Sequence, residues 1–353
     1  MKFPYKWTLA EADFKKNRGK VFSCFACGGG STMGYKLAGY DVVGCNEIDP
    51  KMIEAYKVNH NPKYAYLEPI QTFKLRDDLP QELYELDILD GSPPCSSFSM
   101  SGNREKDWGK QKKFREGQSK QVLDTLFFDF IDLAKKLQPK VVVAENVKGL
   151  LIGNARVYAA RIVDELEQAG YYVTYTLLNA ADFGVPQKRE RVFFLAIRRD
   201  LGAKLLDTSQ LFARPKIDLN IKLPHVKYRE IADTDGLADS PLSPGMRKVW
   251  ALRQHKDRDF SDTLKRELGK EFLFSYKYTH LDSVPNTITA RAQNNVLYDE
   301  PRYFNDKEFI LSGSFPVDYD FVNMRPAYAI GMSVPPIMMA YIADAVGAQW
   351  LDV

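Results

Sequence analysis

An apolar run, KVFSCF at 20–25, is followed by the glycine turn CGGGSTMG and a short helical pattern to about Leu37. DVVGCNEID (41–49) reads as a second strand. PKMIEAYKVNH then places proline at a helix start, where its missing N–H loses no bond. LDILD (86–90) predicts another strand, and TLFFDFIDLAKKL (125–137) has helical apolar spacing that ends before Pro139. VVVAE (141–145) is a fourth strand, ARVYAARIVDELEQAG a helix with glycine just past its end, and YYVTYTLL and RVFFLAI close the series. Strands alternating with helices predict a doubly wound, mostly parallel α/β sheet covered on both faces.

From about Asp200 the alternation weakens and prolines cluster (Pro215, Pro224, Pro241, Pro244). The pattern predicts a smaller, irregular domain over 200–324, with 1–199 and 325–353 forming the main one. PPIMMAYIADAVGAQW, near the end, reads as an apolar core helix.

With 353 residues, 45% hydrophobic and 27% charged, the chain has the composition of a soluble protein large enough for two domains. No run of about 18 apolar residues predicts a membrane span, and MKFPYKWTLAEADFKK lacks the apolar centre of a signal peptide, so a cytoplasmic location is expected. Four cysteines (Cys24, Cys27, Cys45, Cys95) are too few for a disulfide scaffold. Cys24 and Cys27 form a CxxC with no second pair to complete a zinc site, so no metal is expected.

The net charge of +3 says little, but its distribution says more. Residues 102–120 carry seven Lys or Arg against three acids, and 246–270 eight against four, with Trp108, Phe114, Trp250 and Phe260 interspersed. Such clusters suit a polyanion, although solvated faces have the same composition.

In an open parallel sheet, ligands bind outside the carboxyl ends of the strands. Gly28, Gly29 and Gly30 follow the first strand there, where glycine lets a ligand approach the backbone. Glu47 ends the second strand, where an acid can accept both hydroxyls of a ribose. Cys95 follows SPP, on a stiff double-proline corner past the strand at 86–90, and Glu145 ends VVVAE. The glycine spacing is not GxGxxG, so a nucleoside cofactor other than NAD is indicated.

SCFACGGGSTMG, NEID, SPPCSSFS, DTLFF, ENVKGLL, QKRERVFF and IGMSVPP occur in the order found in DNA cytosine-5 methyltransferases, and over nearly its whole length the chain resembles that family. The resemblance implies S-adenosyl-L-methionine as cofactor, released as S-adenosyl-L-homocysteine, and double-stranded DNA as partner. A monomer is expected, with a possible cognate restriction enzyme. Cys95 would be the nucleophile that adds to cytosine C6, a task that suits a thiolate. Glu145 would protonate or hydrogen-bond N3, Arg191 would hold O2, and Arg189 would support it. Phe25, Gly29, Gly30, Glu47, Ile48, Pro93, Leu126, Met332 and Ser333 would line the cofactor site. Ser97, Arg104, Lys112, Lys113, Arg115 and Gln187 would meet DNA, whose target base must leave the stack to be reached. The segment 200–324 would recognise the target sequence, with Arg247, Arg253, Gln254 and Arg258 as unranked candidates.

The sequence departs from the family at three places. Cys27 stands where glycine is usual, Pro69 where an acid often contacts the adenine, and Met332 where asparagine is usual. The Met332 change leaves open transfer of a modified group from an altered donor. Two further functions fit the same motifs: methylation of tRNA, and DNA binding by a catalytically dead regulator.

Overall fold

The structure is a computed structural model that describes residues 2–94, 125–153, 155–207, 213–233, 240–269, 276–290 and 295–353. Its centre is a seven-stranded sheet of β1 (Lys20–Cys24), β2 (Asp41–Glu47), β3 (Tyr64–Leu67), β4 (Ile88–Gly91), β5 (Val141–Val147), β6 (Tyr171–Asn179) and β7 (Glu190–Arg198). The strand order is β3-β2-β1-β4-β5-β7-β6. The pairs from β3 to β5 are parallel; β7 runs antiparallel to both β5 and β6. The mostly parallel α/β sheet expected from the alternation is therefore present.

Both faces are covered, which explains why strands such as VVVAE are apolar without alternation. On one face Phe22, Leu89, Val142, Ala144 and Phe194 pack against α4 (Leu126–Leu137) and α5 (Ala155–Gln168). On the other, Val21, Ile88, Val141, Val143, Phe193 and Leu195 meet α1 (Gly30–Leu37) and α11 (Pro336–Val346). The run Pro326–Leu351 is long and apolar enough to cross a membrane by composition, yet 72% of its most apolar 18-residue stretch is buried inside the fold. Its hydropathy is that of a core helix.

Local chemistry sets the helix ends. Asp49 accepts from the Lys51 N–H at the start of α2 (Pro50–His60), and Asn61 closes that helix in the left-handed region. One strand escapes the pattern: YAYL (β3) is four half-buried or exposed residues at the sheet edge, and its pairing with β2 supplies what its sequence does not advertise. Short helices α3 (Ile70–Phe73) and α6 (Arg199–Gly202) follow β3 and β7.

Beyond α6, Leu219 joins the core under α11, with Ile217, Ile221 and Leu223 packed against it. A small separate core of Leu242, Phe260, Tyr278, Val296 and Tyr303 holds α7 (Pro244–Ala251), α8 (Phe260–Leu268) and the paired strands β8 (Lys277–Thr279) and β9 (Asn295–Leu297). The chain returns through α9 (Asp306–Ser312) and α10 (Pro326–Met332), where Phe304, Phe315, Phe321 and Ile330 share a core with Met33 and Met52.

Candidate active site

The carboxyl ends of β1, β2, β4 and β5 point to one edge of the sheet, and β7 begins there because it runs in reverse. The turn after β1 is tightly wound, with Phe25, Cys27 and Gly29 all at positive φ (52°, 48° and 81°). The glycines answer to protein neighbours. A side chain at Gly29 would meet His60, and one at Gly30 the Val334 carbonyl. Their missing side chains admit the imidazole beneath and the segment before α11.

Glu47 is buried, and its carboxylate gathers the neighbouring backbone. Oε2 accepts from Cys27 N at 2.7 Å, and Oε1 accepts from Ile48 N at 2.8 Å and Asp49 N at 2.9 Å. Burial pushes this carboxyl up, and the three N–H donors oppose the rise. The acid expected at a ribose therefore also staples the glycine turn to the end of β2.

Asn146, not singled out from the sequence, fixes the proline corner. Its Nδ2 donates to Pro93 O at 3.1 Å, and its Oδ1 accepts from Val147 N at 2.9 Å. Its place beside Glu145 in ENV was the available signal. Cys95, Ser97, Arg104, Lys112, Lys113 and Arg115 lie outside the described residues.

Glu145 and Arg191 come together. Arg191 Nε lies 2.8 Å from Glu145 Oε1, with both side chains largely buried, and Arg191 Nη1 donates to Glu190 O. Burial pushes the Arg191 guanidinium down, against the pull of Glu145. Arg189 is more deeply buried and, among the described residues, donates to backbone: Nη1 to Ile288 O, and Nη2 to Gly331 O and Ser333 O at 3.1 and 2.9 Å. Burial, with Arg191 adding, pushes it down to about 9. Arg189 thus ties the end of α10, which carries Met332, to the chain at Ile288.

Met332 is half-buried, and its carbonyl faces Cys27 Sγ at 3.8 Å, so two of the departures from the family pattern touch. Ser333 is 3% exposed, lies against Gly30, and its Oγ has no hydrogen-bond partner among the described residues. Pro93 is buried and Ile48 half-buried, whereas Leu126 is wholly enclosed in the core with Phe22 and Phe130. Leu126 therefore offers no surface to a cofactor here. Gln187, expected to meet DNA, is also corrected. It is 1% exposed; its Nε2 donates to Ser312 O, and its Oε1 accepts from Ile288 N. Both ends of the amide are used internally.

Fold and site together define an α/β protein with a buried polar cluster at the carboxyl ends of its parallel strands. The fold matches the S. pombe Dnmt2 methyltransferase (TM-score 0.61, 16% identity, covering 94% of this chain and 98% of that one) and the Entamoeba histolytica methyltransferase EhMeth (TM-score 0.59, 13% identity, 94% and 98%). The chain belongs to the C-5 cytosine-specific DNA methylase family, which matches residues 19–348, and is a DNA cytosine-5 methyltransferase. It is 35% identical to the Type II methyltransferase M.DdeI of Desulfomicrobium norvegicum over 92% of this chain and 88% of that protein. It is 27% identical to M1.HphI of Haemophilus parahaemolyticus over 91% and 85%. A third likeness, 36% to M.FnuDI of Fusobacterium nucleatum, spans 52% of this chain and 48% of that protein.

Proposed function

We propose that the chain methylates C5 of cytosine in double-stranded DNA through a covalent bond between Cys95 and C6 of a flipped-out base. The observation that carries this reading is the convergence, at one sheet edge, of the Asn146-pinned Pro93 corner and the Glu145–Arg191 pair. Cys95 follows that corner by two residues. A thiolate adding at C6 moves electron density to C5, and later departure of the C5 proton lets the C–S bond break and frees the thiol. Arg191, already oriented by Glu145, holds O2, and Glu145 meets N3 of the ring.

S-adenosyl-L-methionine, when bound, supplies a methyl group on a sulfonium and leaves as S-adenosyl-L-homocysteine. The residues fit such a polar nucleoside: Ser333 Oγ is buried beside Gly30 without a hydrogen-bond partner among the described residues, and Phe25 lies half-buried in the β1 turn. Glu47, Ile48, Pro93 and Met332 would complete the lining. Residues 200–324 serve as the target-recognition region, and residues 104–115 contribute phosphate contacts. In this reading the chain acts in the cytoplasm as a monomer, and its likeness to Type II methyltransferases is what supports pairing with a restriction enzyme.

The test is trapping. Wild-type protein is expected to form a covalent adduct with duplex containing 5-fluorocytosine, because fluorine does not leave C5 as a proton does. Cys95→Ala is expected to form none and to lose methyl transfer while still binding DNA. Near-normal turnover by Cys95→Ala would sink the mechanism.

A further inference from the structure

The sequence leaves Arg247, Arg253, Gln254 and Arg258 unranked; the side-chain contacts separate them. Arg258 is forked onto Asp262, with Nε at 2.9 Å and Nη2 at 3.1 Å. Arg266 is paired with Asp257, and Arg302 is buried against Glu308. Their charges are already answered. Arg247 is exposed and held at a single nitrogen, Nε, by Leu242 O.

Arg253 is different. Its guanidinium carbon lies 3.2 Å from the Trp250 ring centroid and 4.7 Å from that of Tyr298. Nε donates to Tyr298 O at 2.6 Å and Nη1 to Trp250 O at 2.9 Å, and it forms no ion pair among the described residues. The layers around it are fixed in turn. Trp250 Nε1 donates to Leu297 O at 2.8 Å, and His280 stacks on Tyr298 at 4.2 Å and 24°. A guanidinium has five N–H groups. The two backbone bonds use one on Nε and one on Nη1, which leaves three, one on Nη1 and two on Nη2. Nη1 and Nη2 together can meet two adjacent acceptors in one plane.

The stack is also tied closely to the catalytic arginines. Lys188, next to Arg189, is bridged to Asn286, whose Nδ2 donates to Tyr278 O. The adjacent Thr279 O accepts from Tyr298 N at 2.9 Å. Two backbone pairings and the Asn286 side-chain amide thus connect the Arg189 segment to the Trp250–Arg253–Tyr298–His280 layers.

The geometry points to Arg253 as a specificity-determining residue that reads a guanine of the target sequence through O6 and N7 in the major groove. This inference rests on the reading of the chain as an enzyme that methylates duplex DNA. Holding the fork rigid before binding gives it directional selectivity, which a freely rotating surface arginine lacks.

The experiment begins with bisulfite sequencing of DNA from cells expressing wild-type protein, which yields the target sequence. Methyl transfer is then measured on the target duplex and on duplexes with each base pair replaced singly, for wild type, Arg253→Ala, Arg253→Gln and Arg247→Ala. Arg253→Ala is expected to lose discrimination by about tenfold to a hundredfold at one G·C position and to keep it elsewhere. Arg253→Gln, which retains a planar end group if truncation unfolds the region, is expected to shift that position toward adenine. Arg247→Ala should keep the wild-type profile. Unchanged discrimination in both Arg253 variants overturns the inference. So does an equal loss on every sequence, which would make Arg253 a phosphate contact. Absence of DNA methylation by wild type would instead overturn the reading on which the inference rests.

Discussion

Asp90, next to last in β4, is 3% exposed, with Ser23 Oγ donating to it at 2.7 Å and Tyr35 Oη at 3.2 Å. Burial pushes its carboxyl up to about 7; Ser23 and Tyr35 oppose the rise, and Glu145 adds to it. An unfolded aspartate titrates near about 3.9. Between about pH 4 and pH 7 the folded chain therefore holds a proton that the unfolded chain has released. Stability from this group is complete below that window and is lost as pH rises through it. Asp90→Asn removes the titration and can keep one acceptor for Ser23 or Tyr35. Relative to wild type, it is expected to gain on the order of 2–3 kcal/mol between pH 5 and pH 8. Thermal unfolding of both proteins at the two pH values measures this, and a pH-independent difference would contradict it.

Among elements, the β5–β7 ladder places the chemistry. Val147 pairs with Arg191 and Glu145 with Phe193, so Glu145 and Arg191 are diagonal neighbours across an antiparallel pair. A slip of one residue would turn Arg191 to the opposite face. Just before β7, Gln187 joins three segments: its own, the end of α9 and the strand of chain at Ile288. Gln187→Ala strands a buried carbonyl and a buried N–H, and is expected to cost about 2–3 kcal/mol in denaturant unfolding. Because Gln187 is internal, the salt dependence of DNA affinity should stay unchanged; a lower slope would return it to the DNA surface.

Gln187 also shows where sequence reading stops. The mostly parallel sheet and the placement of Glu47 and Glu145 at one edge follow from the apolar runs; Arg189 and Arg191 join them only because β7 runs antiparallel, which no apolar run displays. Whether a polar side chain in such a motif faces outward or bonds inward depends on Ser312 and Ile288, more than a hundred residues away in the chain. The same holds for Gly29, whose need for glycine comes from His60, and for Asn146, whose partner is Pro93. The four residues of β3 carried too little pattern to stand out from a loop.

On the scale of the whole molecule, electrostatics should govern DNA affinity. Neutralising Lys112, Lys113 and Arg115 together is expected to weaken binding to all sequences alike. It should also flatten the slope of log affinity against log salt by up to about 0.9 per lost phosphate contact. Titrations across a salt series, with target and non-target duplexes, would show this; an unchanged slope would assign these side chains to solvent.

The packing of α11 on α1 bears on how the protein is made. One face of the central sheet is sealed by two helices separated by about three hundred residues, and Arg18 and Lys2 both reach Asp344 on α11. At about 5–20 residues per second, a ribosome needs on the order of 15–60 s to travel between them. Through that interval Val21, Ile88, Val143 and Leu195 lack the cover of Met338, Met339 and Ile342. The closed core, and with it the Gly331–Ser333 segment held by Arg189, therefore forms only once α11 has emerged.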